Sequence, residues 1–321
     1  MKNKPIIVVA GEPNSIFLEI FFKTIKKKII KHPIVLICSI KLLKMQMYNL
    51  KYKGKIRVIK YTDLKILNLN NNSINLIDIK YSQKYAFQKI SKKSKNYIKK
   101  SFDIAFEIIK LGLANKLING PVSKKNFLDK RFLGITEYIS HNFSSKNIAM
   151  LIFNKDLSVC PLTTHMPIKL VSKSINQDLI KKKVELIDEF YRKYLGYRPQ
   201  IAVTGLNPHC ESNEINNEDL NIIKPAIKYL KNKGFNISGP YSADTIFLKK
   251  NRKIYNVIIG MYHDQVLGPL KTLYEYNAFN ITLGLPFIRI SPDHGPNEEM
   301  LGKNLSSPLS LINSLLFLDK N

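Results

Sequence analysis

Residues 116–124 read Lys-Leu-Ile-Asn-Gly-Pro-Val-Ser-Lys, a short apolar run that stops abruptly at a Gly-Pro turn. Glycine and proline are the strongest local signals for a turn, and a short apolar run bounded by such a turn is typical of a buried strand. The same arrangement occurs near the start of the chain, where residues 6–10 are followed by Gly-Glu-Pro. Both stretches therefore predict strands that end in tight polar turns.

Similar apolar runs recur along the whole chain. The predicted strands are 6–10, 33–39, 56–61, 74–79, 116–119, 149–153, 157–162, 201–204 and 256–260. Longer amphipathic stretches separate many of them, most clearly 85–113, 178–195 and 218–233, where apolar residues recur with a helical period. Strands that alternate with helices indicate βαβ units. The expected fold class is α/β, with mostly parallel sheets that carry helices on both faces.

The charge is strongly basic, because 51 Lys and Arg residues oppose 24 Asp and Glu residues and give a formal net charge of +27. Nucleic-acid surfaces usually cluster Arg-rich basic residues with aromatic side chains on one face. Here Lys is scattered through every segment of the 321 residues. We therefore do not expect nucleic acid as a partner, although a positive field suits a phosphorylated metabolite.

Several classes of protein are excluded by composition. A hydrophobic content of 45% is too high for a disordered chain. No apolar run reaches the roughly 18 residues that span a bilayer, and the apolar start lacks a cleavage site, so we expect a cytoplasmic protein without a membrane segment. The three cysteines, Cys38, Cys160 and Cys210, are odd in number and lack CxxC spacing, which argues against a disulfide framework or a thiolate zinc site.

Three of the six histidines, His165, His209 and His263, directly follow predicted strands. In parallel α/β sheets, ligands bind outside the carboxyl ends of the strands. Neutral imidazole is a common ligand of first-row divalent ions, and three protein ligands with an open position make a catalytic site. If the three strand ends converge, the histidines bind one ion; otherwise they are unrelated loop residues. The sequence spacing does not decide between these two interpretations.

Arg289 lies inside a hydrophobic segment of a chain that has few arginines. A guanidinium group there matches a phosphate or a carboxylate through two parallel hydrogen bonds. A buried ion pair is the structural alternative, because buried Arg is rarely left unpaired.

Seven blocks of sequence combine these features. They are residues 119–124 (NGPVSK), 134–138 (GITEY), 163–167 (TTHMP), 205–209 (GLNPH), 243–245 (ADT), 261–265 (MYHDQ) and 280–289 (NITLGLPFIR). In order and spacing they resemble the 4-hydroxythreonine-4-phosphate dehydrogenase family, the PdxA proteins of pyridoxal phosphate biosynthesis. The resemblance runs from Gly11-Glu12-Pro13 to Asp293-His294-Gly295 and so covers almost the whole chain.

The resemblance implies a fold like that of isocitrate and isopropylmalate dehydrogenases, with two α/β lobes around a cleft. The first lobe would comprise residues 1–135 and 285–321, and the second, residues 136–284, would carry the histidines. It also implies a homodimer whose site is shared across subunits, NAD or NADP as oxidant, and one divalent ion (Zn, Mg or Co) per subunit. The reaction would oxidise 4-phosphooxy-L-threonine and decarboxylate the product to 3-amino-2-oxopropyl phosphate.

Roles for individual residues follow from the same resemblance. His165 and His209 of one subunit and His263 of the other would bind the metal ion. The positions that align with substrate contacts are Thr136, Lys271, Asn280 and Arg289. The candidate catalytic proton acceptors are Asp264, Asp244 and Lys271, among which the sequence does not choose. The first turn is not a GxGxxG fingerprint, so the cofactor-binding residues stay unassigned.

Three departures from the family pattern leave other functions open. Ile135 stands where the family usually has His, the first loop reads Asn14-Ser15-Ile16-Phe17 instead of a glycine-rich run, and residues 210–217 replace a second such run. Ile135 makes a metal-dependent dehydrogenase of another hydroxy acid an alternative. A weakly active or non-enzymatic relative that uses its charge on anionic partners is the other alternative.

Overall fold

The computed structural model describes residues 4–128, 131–210 and 217–321, and the chain divides into two compact units. Unit 1 comprises the chain up to Ser144 together with Leu285–Asn321, and unit 2 comprises Ser145–Gly284. The first boundary therefore lies after residue 144, whereas the sequence led us to expect it after residue 135. The physical reason is that Tyr138 packs edge-on against Phe102 and Phe127 of unit 1. Thr136 consequently belongs to unit 1.

The sheet of unit 1 is parallel in every strand pair that the structure describes. Its strand order is β3-β4-β2-β1-β5-β12. The bounds are β1 Ile6–Val9, β2 Ile34–Cys38, β3 Ile56–Val58, β4 Ile74–Asp78, β5 Lys116–Asn119 and β12 Ile288–Pro292. Strands β1 and β2 are buried along their whole length, which explains why they read as continuous apolar runs.

The sheet of unit 2 is mixed, with the strand order β11-β6-β7-β10-β8-β9. The bounds are β6 Ala149–Phe153, β7 Ser158–Thr163, β8 Ile201–Thr204, β9 Ile237–Tyr241, β10 Val257–Tyr262 and β11 Phe279–Leu283. Strands β7, β10, β8 and β9 pair in parallel, and β6 is antiparallel to both β7 and β11. The expected α/β class with mostly parallel pairing is confirmed.

Helices accompany both sheets. In unit 1 they are α1 Phe17–Ile25, α2 Ile40–Asn49, α3 Lys95–Lys110, α4 Ile135–Asn142 and α11 Leu309–Lys320. In unit 2 they are α5 Val171–Ser174, α6 Gln177–Phe190, α7 Lys224–Asn232, α8 Ala243–Ile246, α9 Lys249–Arg252 and α10 His263–Tyr274. None of the helices in the described ranges has both the length and the apolar character needed to cross a bilayer.

The predicted elements agree with this structure except at the start of one helix, and several further elements were not predicted. A strand is present at each of the nine predicted positions, with small differences at the ends. Strands β9, β11 and β12 were not predicted. The prediction of a helix from residue 85 was wrong, because α3 begins at Lys95. The backbone before it is bound elsewhere: Gln46 Nε2 donates to Ala86 O, and Gln88 N donates to Asn14 Oδ1.

The turns after β1 and β5 touch each other backbone to backbone. A Cβ atom on Gly120 would lie 2.2 Å from Ala10 O, and one on Gly11 would lie 2.4 Å from Pro121 O. Gly120 N donates to Val9 O at 2.8 Å, and Glu12 N donates to Pro121 O at 2.8 Å. Only glycine leaves room for this approach, so the two turns fix each other's position at the carboxyl end of the sheet.

We predict that Gly120→Ala destabilises the protein by about 1–3 kcal/mol or more, because the new methyl group has no space beside Ala10 O. The matched control is Gly268→Ala within α10, where a Cβ atom would meet no described atom within 4 Å. Alanine there gains helix propensity but precedes Pro269, which disfavours a helical residue with a Cβ atom, so the net change in stability should be smaller than that of Gly120→Ala. Differential scanning calorimetry of both variants measures the effect, and equal transition temperatures would contradict the proposed crowding.

Candidate functional site

The three histidines proposed as metal ligands follow three strands that are neighbours in the sheet of unit 2. The order β7-β10-β8 places β10 between the other two strands. His165 lies two residues beyond β7, His263 begins α10 directly after β10, and His209 follows β8. All three strands run in the same direction, so the histidines lie at the same edge of the sheet.

His165 and His263 are close to each other within one chain. Thr163 pairs with Tyr262 at the ends of β7 and β10, and Thr163 Oγ1 donates to Met261 O at 2.7 Å. The centroids of the two imidazole rings are 6.1 Å apart. Metal–nitrogen bonds of about 2 Å put two rings on a shared ion with their centroids roughly 5–6 Å apart. The spacing of this pair therefore suits a shared divalent ion after a small adjustment.

Asp264 orients His263. The Nδ1 atom of His263 lies 2.6 Å from Asp264 Oδ1, while the Asp264 side chain remains 88% exposed. A carboxylate that accepts from Nδ1–H leaves the lone pair on Nε2, which is the usual arrangement around a metal-binding histidine. Asp264 thus has the position of a residue that orients a ligand.

His209 occupies an exposed turn in the left-handed region, at φ 56°. The buried Asp219 holds the preceding loop, because its carboxylate accepts from Leu206 N and from Asn207 N. A hydrogen bond from Ser242 lowers the pKa of Asp244, and the charge of His209 lowers it further. His209 therefore acts electrostatically on Asp244 at this edge of the sheet.

One chain brings two of the three proposed ligands together. Within residues 4–128, 131–210 and 217–321, no three His, Cys, Asp or Glu side chains lie close enough to hold one ion. The resemblance groups His165 with His209 in one subunit, whereas the adjacent rings in this chain are those of His165 and His263. Residues 211–216, which form most of the third departure from the family pattern, lie outside the described residues.

Gln265 ties two of these strand ends together, a role that the sequence analysis missed. Its Oε1 accepts from Thr204 Oγ1 at 2.8 Å and from Met261 N at 2.6 Å, and its Nε2 donates to Gly205 O at 2.8 Å. The ends of β8 and β10 are thereby fixed beside each other. In the sequence, the indication of this role was that Gln265 lies two residues after His263 in the MYHDQ block.

The other proposed residues of unit 2 lie on different elements. Lys271 is in the last turn of α10, eight residues after His263 and about 12 Å further along the helix axis. Asn280 lies on β11, and its buried Oδ1 atom accepts no hydrogen bond from any residue that the structure describes. A buried amide oxygen without a donor is unusual and suits a donor group on a ligand.

Arg289 and Thr136, both proposed as substrate contacts, are bonded to each other in unit 1. Arg289 is 0% exposed on β12; its Nε donates to Asn119 Oδ1 at 2.8 Å and its Nη1 to Thr136 Oγ1 at 3.1 Å. Burial lowers the pKa of Arg289 to about 10, and the charge of Glu137 opposes this shift. The guanidinium therefore stays positive at neutral pH and contacts the Thr136 hydroxyl from the interior of unit 1.

A cavity of about 570 Å³ opens in unit 1 beside the turns that follow β5 and β12. Its volume falls in the range of ordinary small-molecule sites, and its position at the carboxyl ends of parallel strands is where α/β sheets bind ligands. Residues that line it include Asn119, Gly120, Lys124, Lys125, Ile135 and His294. Ile135, the first departure from the family pattern, is thus part of its wall.

The second departure does not reach this cavity. Asn14, Ser15, Ile16 and Phe17 are each at most 4% exposed, and none of these four described residues lines the cavity. Asn14 bonds instead to the side chain of Gln83. The changed loop therefore fills the interior of unit 1 rather than the ligand space.

The fold of this chain is shared with a known dehydrogenase. A β-decarboxylating dehydrogenase from Thermococcus kodakarensis superposes with a TM-score of 0.53 at 10% identity, over 98% of this chain and 82% of that one, which shows a shared fold alone. The family follows from a closer match. The family model described as "Pyridoxal phosphate biosynthetic protein PdxA" matches residues 30–317, and the chain belongs to this family.

The similarity to individual relatives supports the same family assignment. The chain is 34% identical over 328 residues to the 4-hydroxythreonine-4-phosphate dehydrogenase of Wigglesworthia glossinidia brevipalpis, covering 95% of each. It is 44% identical over 207 residues to that of a Sulfurihydrogenibium species, where the match spans 63% of each chain. The crystal structure of the Klebsiella pneumoniae enzyme superposes with a TM-score of 0.85 at 27% identity, over 99% of both chains. The resemblance read from the motifs is confirmed.

We predict that Thr136→Val lowers the free energy of unfolding by about 1 kcal/mol, because the fully buried Arg289 loses its hydroxyl acceptor. Thr136→Ser keeps a hydroxyl at this position and is the matched control. Urea denaturation followed by circular dichroism measures both variants. The assigned hydrogen bond would be contradicted if valine were tolerated as well as serine.

Proposed function

We propose that this chain is a 4-hydroxythreonine-4-phosphate dehydrogenase that acts in pyridoxal 5'-phosphate biosynthesis, in the cytoplasm. It would oxidise 4-phosphooxy-L-threonine with NAD or NADP and release CO₂ to give 3-amino-2-oxopropyl phosphate. The observation that carries the proposal is the pair of adjacent imidazoles, His165 and His263, at neighbouring strand ends of a PdxA-family chain. The names of the relatives support the choice of substrate.

The reaction sets the requirements for the site. Hydride leaves the alcohol carbon for the nicotinamide ring and the hydroxyl proton passes to a base. The carbon–carbon bond to the carboxylate then breaks with loss of CO₂, and the carbon that held the carboxylate takes up a proton. The chain must therefore bind a phosphate and a carboxylate, accept a proton, and hold the reacting oxygen.

His165, His209 and His263 are the proposed ligands of a divalent ion, Zn, Mg or Co. Two imidazoles near the separation expected for a shared ion, one of them bonded to Asp264, fit such an ion in donor chemistry and spacing. A bound ion would act as a Lewis acid toward the substrate oxygen. Since two of the three rings are adjacent in one chain, we propose a homodimer in which a second copy completes the set.

Asp264, Asp244 and Lys271 are the proposed catalytic residues. We assign Asp264 to orient His263, because its carboxylate already accepts from Nδ1. The lowered pKa of Asp244 makes its carboxylate a weaker base at neutral pH. Lys271 then remains as the candidate for receiving the substrate proton, a role that requires its neutral amine form.

Thr136, Lys271, Asn280 and Arg289 are the proposed substrate contacts. Because Arg289 is fully buried, it would act on the substrate through its positive charge and through the Thr136 hydroxyl, which it holds in place by a hydrogen bond. Asn280 Oδ1 offers an acceptor for the substrate's ammonium or hydroxyl group. These roles match an anionic amino-acid substrate.

We further propose that the cavity of unit 1 receives the nicotinamide cofactor. The exposed Lys124 and Lys125 on its rim would offset the charge of the cofactor's phosphates.

A second candidate function is the oxidation of a different hydroxy acid by the same site. The observation that favours it is Ile135, which lines the cavity and can neither donate nor accept a hydrogen bond through its side chain. A substrate group that a histidine would bind has no partner at this position.

We predict that the purified protein reduces NAD or NADP in the presence of 4-phosphooxy-L-threonine and added divalent ion, and does so far more slowly with unphosphorylated 4-hydroxy-L-threonine. Absorbance of the reduced nicotinamide measures the rate, and Ile135→His should lower the KM for the phosphorylated substrate. Turnover of another hydroxy acid in preference to both threonine derivatives would favour the second candidate instead.

We predict that His165→Ala and His263→Ala each reduce kcat/KM by on the order of 100-fold or more, because each removes a metal ligand. A chelator should abolish activity and a divalent ion should restore it. His141→Ala is the control, since His141 is an exposed residue of α4 in unit 1 and is not one of the proposed ligands. Mass spectrometry of bound metal gives a second readout, and unchanged metal content in both site variants would refute the assignment.

A further inference from the structure

Glu12 is a buried carboxyl group at the carboxyl end of β1, in the turn that contacts Pro121. It is 2% exposed. Among the described residues, no Lys, Arg or His side chain forms an ion pair with it; Asn14 N at 3.3 Å and Ser94 Oγ at 3.1 Å are its hydrogen-bond partners. Buried carboxylates are usually paired with a cation, so the charge state of Glu12 needs another explanation.

The hydrogen bonds around Ser94 indicate where a proton lies. Ser94 Oγ is 3.1 Å from Glu12 Oε2 and 3.0 Å from Ser91 O, yet a hydroxyl group has one hydrogen to donate. A carbonyl oxygen can only accept. Both contacts are satisfied at once if Glu12 carries a proton and donates to Ser94 Oγ, while Ser94 donates to Ser91 O.

The surroundings of Glu12 favour that proton. Burial raises its pKa to about 7, and the charge of Glu298 adds to the shift; the hydrogen bonds that Asn14 and Ser94 would donate to the ionised form oppose it. The other titratable groups that face Glu12 are Tyr81 and Tyr97, and its charge raises the pKa of each. None of these three neighbours supplies a positive charge.

The chain segment 88–94 connects this carboxyl to the cavity of unit 1. At one end of the segment Ser94 bonds to Glu12, and within it Ile90 N donates to Glu298 Oε1 at 2.8 Å. Ile90 and Glu298 both line the cavity. A change at Glu12 therefore has a short covalent and hydrogen-bonded route to one wall of the cavity.

We propose that Glu12 is a positioning residue that holds segment 88–94, and with it the Ile90–Glu298 wall, through a proton that it donates to Ser94. Loss of this proton leaves a buried carboxylate that competes with Ser91 for the single Ser94 hydrogen, and the segment loosens. Because the pKa of the Glu12 carboxyl is raised, the group keeps its proton at pH values below that pKa and loses it at higher pH. Segment 88–94 is therefore well ordered at pH 6 and more mobile at pH 8. That the cavity's occupant is the nicotinamide cofactor rests on the proposed function; the proton-dependent contact does not.

Hydrogen–deuterium exchange of the full chain without ligands tests the proposal over pH 6 to 8.5. After correction for the intrinsic pH dependence of amide exchange, protection of amides 88–95 should fall several-fold between pH 6 and pH 8, because the protonated fraction of Glu12 falls about tenfold. Glu12→Gln should keep its protection at pH 8, since the amide nitrogen donates to Ser94 at every pH. Ser94→Ala should lack the protection throughout, and Glu298→Gln should move the midpoint to lower pH.

Glu19→Gln is the matched control, because Glu19 is equally buried in unit 1 but bonds to Lys23; this variant should keep the pH step. A step that survives in Glu12→Gln, or its absence from the unmodified protein, would overturn the proposal. Carbon-13 NMR titration of the unmodified chain gives an independent readout that does not require any variant to fold. It should reveal one glutamate with a pKa near 7, and its absence would also overturn the proposal, whatever the enzyme assay reports.

Discussion

The close approach of two backbone turns, one after β1 and one after β5, is the constraint on which the ligand-binding end of unit 1 depends. Gly11 and Gly120 meet there at distances that leave no room for a side chain. The same turn carries Asn119, whose side chain accepts from Arg289 and so fixes the buried guanidinium. This one contact fixes the positions of three features of unit 1. They are the cavity, the Arg289 guanidinium beside Thr136, and the turn that carries Glu12.

Unit 2 achieves the same end by different means. Its strand ends are joined by side chains: Gln265 bonds across from β10 to β8, and Thr163 bonds from β7 to β10. Asp219 supports the loop before His209 through backbone N–H groups. Side chains can hold ligand-bearing loops apart at chosen distances, whereas a glycine contact simply closes the gap. This difference suits the ion that we propose between the imidazole rings of His165 and His263.

The sequence was informative where local pattern and burial agree, and uninformative where tertiary contacts override propensity. Buried strands such as β1 and β5 read directly from their apolar runs and terminal turns. Strand β9 contains Gly239 and Pro240, which indicate a turn, but it lies at the edge of its sheet, where proline is tolerated. Strand β12 was not predicted because it carries Arg289, whose buried guanidinium donates to the neutral side chains of Asn119 and Thr136, distant in sequence.

The candidate site divides in the same way. Periodicity and turns indicated that three histidines follow strands, but only the strand order shows that those strands are neighbours. The departures from the family pattern likewise separate by location. The changed loop of Asn14 and its neighbours is absorbed by the interior, where Asn14 gains Gln83 and Gln88 as partners. Ile135, at the position where the resemblance implies a histidine, lies instead on the cavity wall. An interior change can be compensated by repacking, whereas a wall change alters what the cavity can bind, so of these two departures Ile135 is the one that we expect to change function.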